Sequence, residues 1–152
     1  MILAFALGNP LRRDDGAGGA VARGLEALVS GLEVLEATEL LPEHAEAISR
    51  AEGVLFLDAA AAGPPGEVRA GPLAPSAART AVLHALLPEE VLGLARALYG
   101  RAPPAVLLTV AGADFTFGHG LSAEVEASLP RARERACELA AALSEPRPRP
   151  VL

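Results

Sequence analysis

The residues able to do chemistry in this chain are few and widely separated. Asp14 and Asp15 stand side by side in "LGNPLRRDDGAGGAV" (Leu7–Val21), Asp58 follows the apolar run "VLFL", and three histidines sit at His44, His84 and His119. Two carboxylates and one imidazole form a donor set for a borderline divalent metal with coordination positions left open. The histidines differ in context. His44 falls among acids in "PEHAEAIS", where a solvated or ion-paired helical residue is expected, and His119 in the glycine-flexed "FGHGLS" reads as an exposed loop residue. His84, in "VLHALLPEE", lies just upstream of a helix start, where a loop can return to a cleft.

A strand followed by a glycine-rich loop and a helix also suggests a phosphate cradle. The details oppose it. "GAGGAV" (Gly16–Val21) lacks the third glycine of a dinucleotide fingerprint, and the chain has no lysine for a Walker loop. Asp14 and Asp15 would meet a pyrophosphate where the helix terminus should attract it. Carboxylates at a helix N-terminus suit a cation instead, one of them capping while the other projects. A purely structural reading, in which both aspartates cap and turn, stays open. So does a nucleotide-binding α/β domain, which would be stabilised by a nicotinamide dinucleotide and not by a divalent metal. No G-x-S-x-G elbow is present, and the single cysteine, Cys137, sits at helical spacing among apolar neighbours as a buried structural thiol.

The elements that must position these groups follow from the hydrophobic pattern. Residues 2–7 and 54–57 are continuously apolar, as expected of strands covered on both faces, and 105–110 reads the same way. Residues 32–38 alternate like a strand, and a short strand is expected near 67–70. Helices are expected over 16–28, 42–51, 88–99 and 122–143, with Asp14 or Asp15 at the N-cap of the first and Pro130 capping, bending or restarting the last. Alternation of strand and helix predicts an α/β three-layer sandwich with a mostly parallel, twisted sheet and helices on both faces. In such sheets functional groups gather past the carboxyl ends of the strands, where Asn9 to Asp15 and Asp58 fall.

Composition narrows the partners. At 152 residues the chain fits one domain, over about residues 1–143, with a Pro/Arg-rich tail at 144–152 expected to fray. A net charge of −6 and the lack of a basic cluster before the tail argue against nucleic acid and anionic membranes. One cysteine, no signal-like start and no long apolar run predict a cytoplasmic protein.

Four stretches taken together, "GNPLRRDDGAG" (Gly8–Gly18), "FLDAA" (Phe56–Ala60), His84 with the following "LLPEEVLGLARALYG", and "DFTFGHGLS" (Asp114–Ser122), resemble the hydrogenase maturation endopeptidases. Their order and spacing run to about residue 143. The resemblance implies a twisted sheet of about five strands between helices. It implies removal of a C-terminal extension from the precursor of a [NiFe]-hydrogenase large subunit after nickel insertion. The nickel is then carried by the substrate, and no organic cofactor is expected. Motif alignment places the metal contacts, and with them the catalytic groups, at Asp15, Asp58 and His84, and substrate contacts at Gly8, Asn9 and Asp14. Either Asp15 or Asp58 can serve as general base, or the nickel itself can polarise the scissile carbonyl. Two departures stand out. Ala6 replaces the first glycine of the family's usual Gly-x-Gly-Asn, and "ATELLPEHAEA" replaces a glycine-rich turn after the second strand, which leaves the hydrogenase partner open. A catalytically silent relative that binds a partner without cutting it is the remaining alternative.

Overall fold

The computed structural model describes residues 1–77 and 85–148. Five strands, β1 (Ile2–Leu7), β2 (Leu32–Ala37), β3 (Gly53–Ala60), β4 (Val68–Leu73) and β5 (Ala105–Ala111), form one sheet in the order β2-β1-β3-β5-β4. The first four positions in that order are parallel, and β4 runs antiparallel along β5 as an edge strand. The helices are α1 (Ala17–Ala22), α2 (Leu25–Leu28), α3 (His44–Arg50), α4 (Pro88–Tyr99) and α5 (Ala123–Ser144).

The near-continuous apolar strands sort their side chains by parity, because successive residues point to opposite faces. Ile2, Ala4, Ala6, Leu55 and Leu57 pack with α1, α2 and α5, while Leu3, Phe5, Val54 and Phe56 pack with α3 and α4. Phe5 and Phe56 stack at 5.5 Å beneath the second layer. Small residues let α1 approach closely: a Cβ on Gly18 would lie 2.3 Å from the Leu57 carbonyl oxygen and 2.6 Å from that of Leu7.

Several boundaries differ from expectation. The helix expected over 16–28 is two short ones, because Gly24 adopts φ +82° and breaks the chain between α1 and α2. Val21 and Leu25 stay buried, but the break turns Leu28 outward, 67% exposed. Neither Asp14 nor Asp15 caps α1; a single 3-10 turn, Arg13–Gly16, carries both, and Gly16 occupies the cap without a side-chain bond. β3 runs two residues past Asp58. Pro130 lies inside a continuous α5, whose true cap is Ser122, its hydroxyl accepting from the Val125 N–H. Glu90 reaches back to the Leu87 N–H at 2.9 Å and fixes the start of α4. Cys137 is half-buried against the α1/α5 layer rather than sealed in it. Among the described residues no helix is long and apolar enough to cross a membrane. Of the expected tail, residues 149–152 lie outside the described residues.

Candidate active site

Strand order reverses at β1: the chain steps from β1 to β2 on one side, then returns to β3 on the other. The loop leaving β1 and the end of β3 therefore open a crevice between them, the usual place for a site in such sheets. Asp15 lies on that loop and Asp58 near the end of β3.

The loop folds back sharply at Gly8, whose φ is +114° and where a Cβ would fall 2.0 Å from the Asp15 carbonyl oxygen. No side chain fits there. Asn9 then donates its N–H to Asp15 Oδ2 at 2.7 Å, while its own Oδ1 accepts from the Leu11 N–H at 2.9 Å. The Asn9 side-chain oxygen thus closes an Asx turn, and its backbone orients the Asp15 carboxylate.

The neighbouring Arg-Arg-Asp residues serve a different purpose. Asp14 is fully buried, and its carboxylate accepts backbone N–H groups from Ala113 (2.7 Å), Asp114 (3.1 Å) and Ser122 (2.7 Å). Burial by itself would raise its pKa, but these bonds outweigh that and hold it below the ordinary value. No oxygen of Asp14 is left for a substrate, so the contact expected of it gives way to a tie between the first loop and the β5–α5 connection. Arg13, at φ +46°, donates to the His119 carbonyl at 3.1 Å and pairs with Asp114 at 3.7 Å. Arg12 lies over the Phe117 ring at 4.1 Å. The "DFTFGHGLS" stretch is thus the clamp for the "RRDD" loop. The sequence reading missed this pairing, although the opposite charges of Arg13 and Asp114 were a visible hint.

Three of the four residues in "RRDD" are consumed as structure, and Asp15 is half-buried with Oδ2 bonded to the Asn9 N–H, close enough to Asp58 for their charges to interact. Asp58 faces it from β3. Its Oδ1 accepts the Ala59 N–H at 2.8 Å, and its pKa is raised to about 6, mainly by burial and further by the negative charge of Asp15. Two carboxylates in one partly dry crevice repel each other and favour a cation or a shared proton. His84 lies outside the described residues. Among the described residues no group of three or more His, Cys, Asp or Glu converges. His44 is half-buried at the start of α3: its Nδ1 accepts the Leu41 N–H at 2.9 Å and its ring meets Phe5 edge-on at 5.4 Å, so it helps to fix the helix start and forms no ion pair among the described residues. His119 is exposed, and among the described residues only its backbone carbonyl is engaged.

Known proteins give a consistent picture. No protein-family model matches the chain, and no curated protein matches it in sequence. Solved structures do. The [NiFe] hydrogenase maturation protease HybD from Thermococcus kodakarensis is similar at 27% identity over 91% of this chain and 98% of that one, with a TM-score of 0.70. The hydrogenase maturating endopeptidase HybD from E. coli shares the fold at 22% identity, 94% and 93% coverage and a TM-score of 0.69. The maturation protease HycI from Thermococcus kodakarensis shares it at 23% identity, 92% coverage of each chain and a TM-score of 0.69. Over nine-tenths of its length the chain thus shares the fold of hydrogenase maturation proteases and is 27% identical to one of them, a likeness that supports that family of endopeptidases.

Proposed function

We propose that this protein removes the C-terminal extension of a nickel-loaded [NiFe]-hydrogenase large-subunit precursor in the cytoplasm. The observation that carries this reading is the facing pair Asp15 and Asp58, with Asp58 raised to about 6 by burial and by its neighbour. Such a pair is starved of positive charge, and a substrate that brings a cation relieves both the repulsion and the desolvation. Asp15 and Asp58, joined by His84, contact nickel already held by the precursor's cysteines, and this mixed oxygen and nitrogen set suits that ion. Docking of the metal then positions the scissile bond, so a metal-free precursor gains little from the crevice.

Either Asp15 or Asp58 can act as general base toward the attacking water. Asn9 holds Asp15 by its backbone, and Gly8 keeps the loop close enough for that bond to form.

The test is the intact mass of a cognate precursor incubated with this protein, with nickel-free precursor and Asp15→Ala protein alongside. Loss of a C-terminal peptide only with nickel and only with Asp15 present is the expected result. Cleavage without nickel would remove the metal gate while leaving the protease. No cleavage of a folded, cognate, nickel-loaded precursor would favour a relative that binds without cutting.

A further inference from the structure

A sheet edge is a row of backbone donors and acceptors that proteins usually cover or blunt. In β2 the coverage is uneven. The β1 ladder uses the odd-numbered backbone groups of this segment, as the bonds from Ile2 N–H to the Gly31 carbonyl and from Gly8 N–H to the Ala37 carbonyl show. The even-numbered groups therefore face away from the sheet. The first two are satisfied within the chain: Leu32 N–H reaches the Val29 carbonyl at 3.4 Å, and Val34 N–H is taken by Glu26 Oε1 at 2.7 Å. The next, Glu36, has neither its N–H nor its C=O bonded to any described residue, and it is exposed.

The open half of the edge is also the half that adjoins the site. A groove of about 330 Å³ passes between Gly16, Gly19 and Arg23 on one side and Glu36 and Thr38 on the other, with Gly8 in its floor. Gly8 lies against the Asp15 backbone, and Gly16 follows Asp15 in the chain, so one end of the groove adjoins the loop that carries Asp15 and the other reaches the uncovered strand end. Gly19 has no atom within 4 Å of where its Cβ would stand, which keeps the helix wall open to a main chain.

Resting on the function proposed above, we infer that the precursor's C-terminal extension binds as an added strand, exchanging hydrogen bonds with the N–H and C=O of Glu36 while its cleavage site lies over Asp15 and Asp58. Recognition through the main chain tolerates varied side chains in the excised segment, with pockets reading only alternate positions.

Glu36→Pro is the informative variant. Besides the side chain it removes only an outward N–H, and proline is accepted on edge strands where that group faces solvent. The expected result is a KM for nickel-loaded precursor raised about tenfold, with kcat within about twofold and the unfolding midpoint kept, as fits loss of binding energy shared by ground and transition states. Glu36→Ala, which keeps the backbone donor, should change KM less than about twofold. Equal effects from both variants would assign the role to the side chain and overturn the inference, as would no effect from either. Amide exchange at Glu36 in the wild-type protein gives a reading that needs neither the variant to fold nor cleavage to occur. Slowing on addition of nickel-loaded precursor supports strand addition. Unchanged exchange in a mixture that is being cleaved overturns it and leaves the protease reading intact, and unchanged exchange without cleavage overturns both. Protection already present without precursor, together with a doubled solution mass, would mean that a second copy of this chain covers the edge instead.

Discussion

The amide of Ser122 donates to Asp14 Oδ1 at 2.7 Å across 108 positions of sequence. That bond joins the cap residue of α5 to the loop that carries Asp15, so one buried carboxylate holds the start of a helix and the wall of the crevice together. The adjacent aspartates divide their work by geometry: Asp14 is fully buried against three N–H groups from beyond β5, and Asp15 stays partly exposed, accepting the Asn9 N–H within its own loop.

Asp14→Ala should therefore be a stability variant first. It strands three backbone donors in a buried position, and charged hydrogen bonds of this kind contribute about 1.5–3 kcal/mol each without being additive. A loss of about 3 kcal/mol or more is expected in urea denaturation, with the unfolding slope unchanged. An effect below about 1 kcal/mol would mean that the loop is not held by this carboxylate.

Asp58 gives an opposite signature. Its folded-state carboxyl sits at about 6 against an ordinary 3.8, so between those values the folded protein holds more protons than the unfolded chain. Its contribution to stability is present below about pH 4 and is lost as pH rises through about 6. A two-unit shift corresponds to about 3 kcal/mol, and partial exposure of the side chain reduces this to about 1–2 kcal/mol. Asp58→Asn should be more stable than the wild type at pH 7 by about that amount and should lack the slope between pH 4 and 6, as read by denaturation at several pH values.

The same substitution should abolish cleavage. Loss of a positioned general base costs about 10²–10⁴ in rate, so Asp58→Asn is expected to be folded, stabilised and inactive in the mass assay. Asp15→Asn should also lose cleavage, with little change in stability. Retained turnover in either variant would remove that residue from the chemistry.

Two glycines separate space from backbone strain. Gly18→Ala would drive a methyl group into the Leu7 and Leu57 carbonyls and push α1 off the sheet, costing about 1–3 kcal/mol or more. Because α1 follows directly from the 3-10 turn, activity should fall with stability. At Gly24 nothing lies within 4 Å, and only the left-handed φ of +82° opposes a side chain. Gly24→Ala should cost about 1 kcal/mol and leave cleavage unchanged. Thermal unfolding and the mass assay on both variants check the contrast.

Much of the fold was legible because it depends on local pattern. The apolar runs of β1, β3 and β5 are long and uninterrupted, since each strand is covered on both faces, and Pro88 and Gly100 bracket α4 within the chain itself. The break at Gly24 was not legible, because a glycine in a helical pattern looks the same whether the helix passes through it or stops. Asp15 and Asp58 could be picked out by motif and by their places after strands. What separated Asp14 from Asp15 was the tertiary structure. Two identical side chains one residue apart have the same local chemistry, and only the arrival of Ala113, Asp114 and Ser122 from far along the chain decides which is buried and which stays partly exposed. The raised carboxyl of Asp58 has the same origin. Sequence alone determined which residue types were present and which strands would be buried; the strand order that sets β1 beside β3, and with it the mutual repulsion of Asp15 and Asp58, exists only once those strands pair.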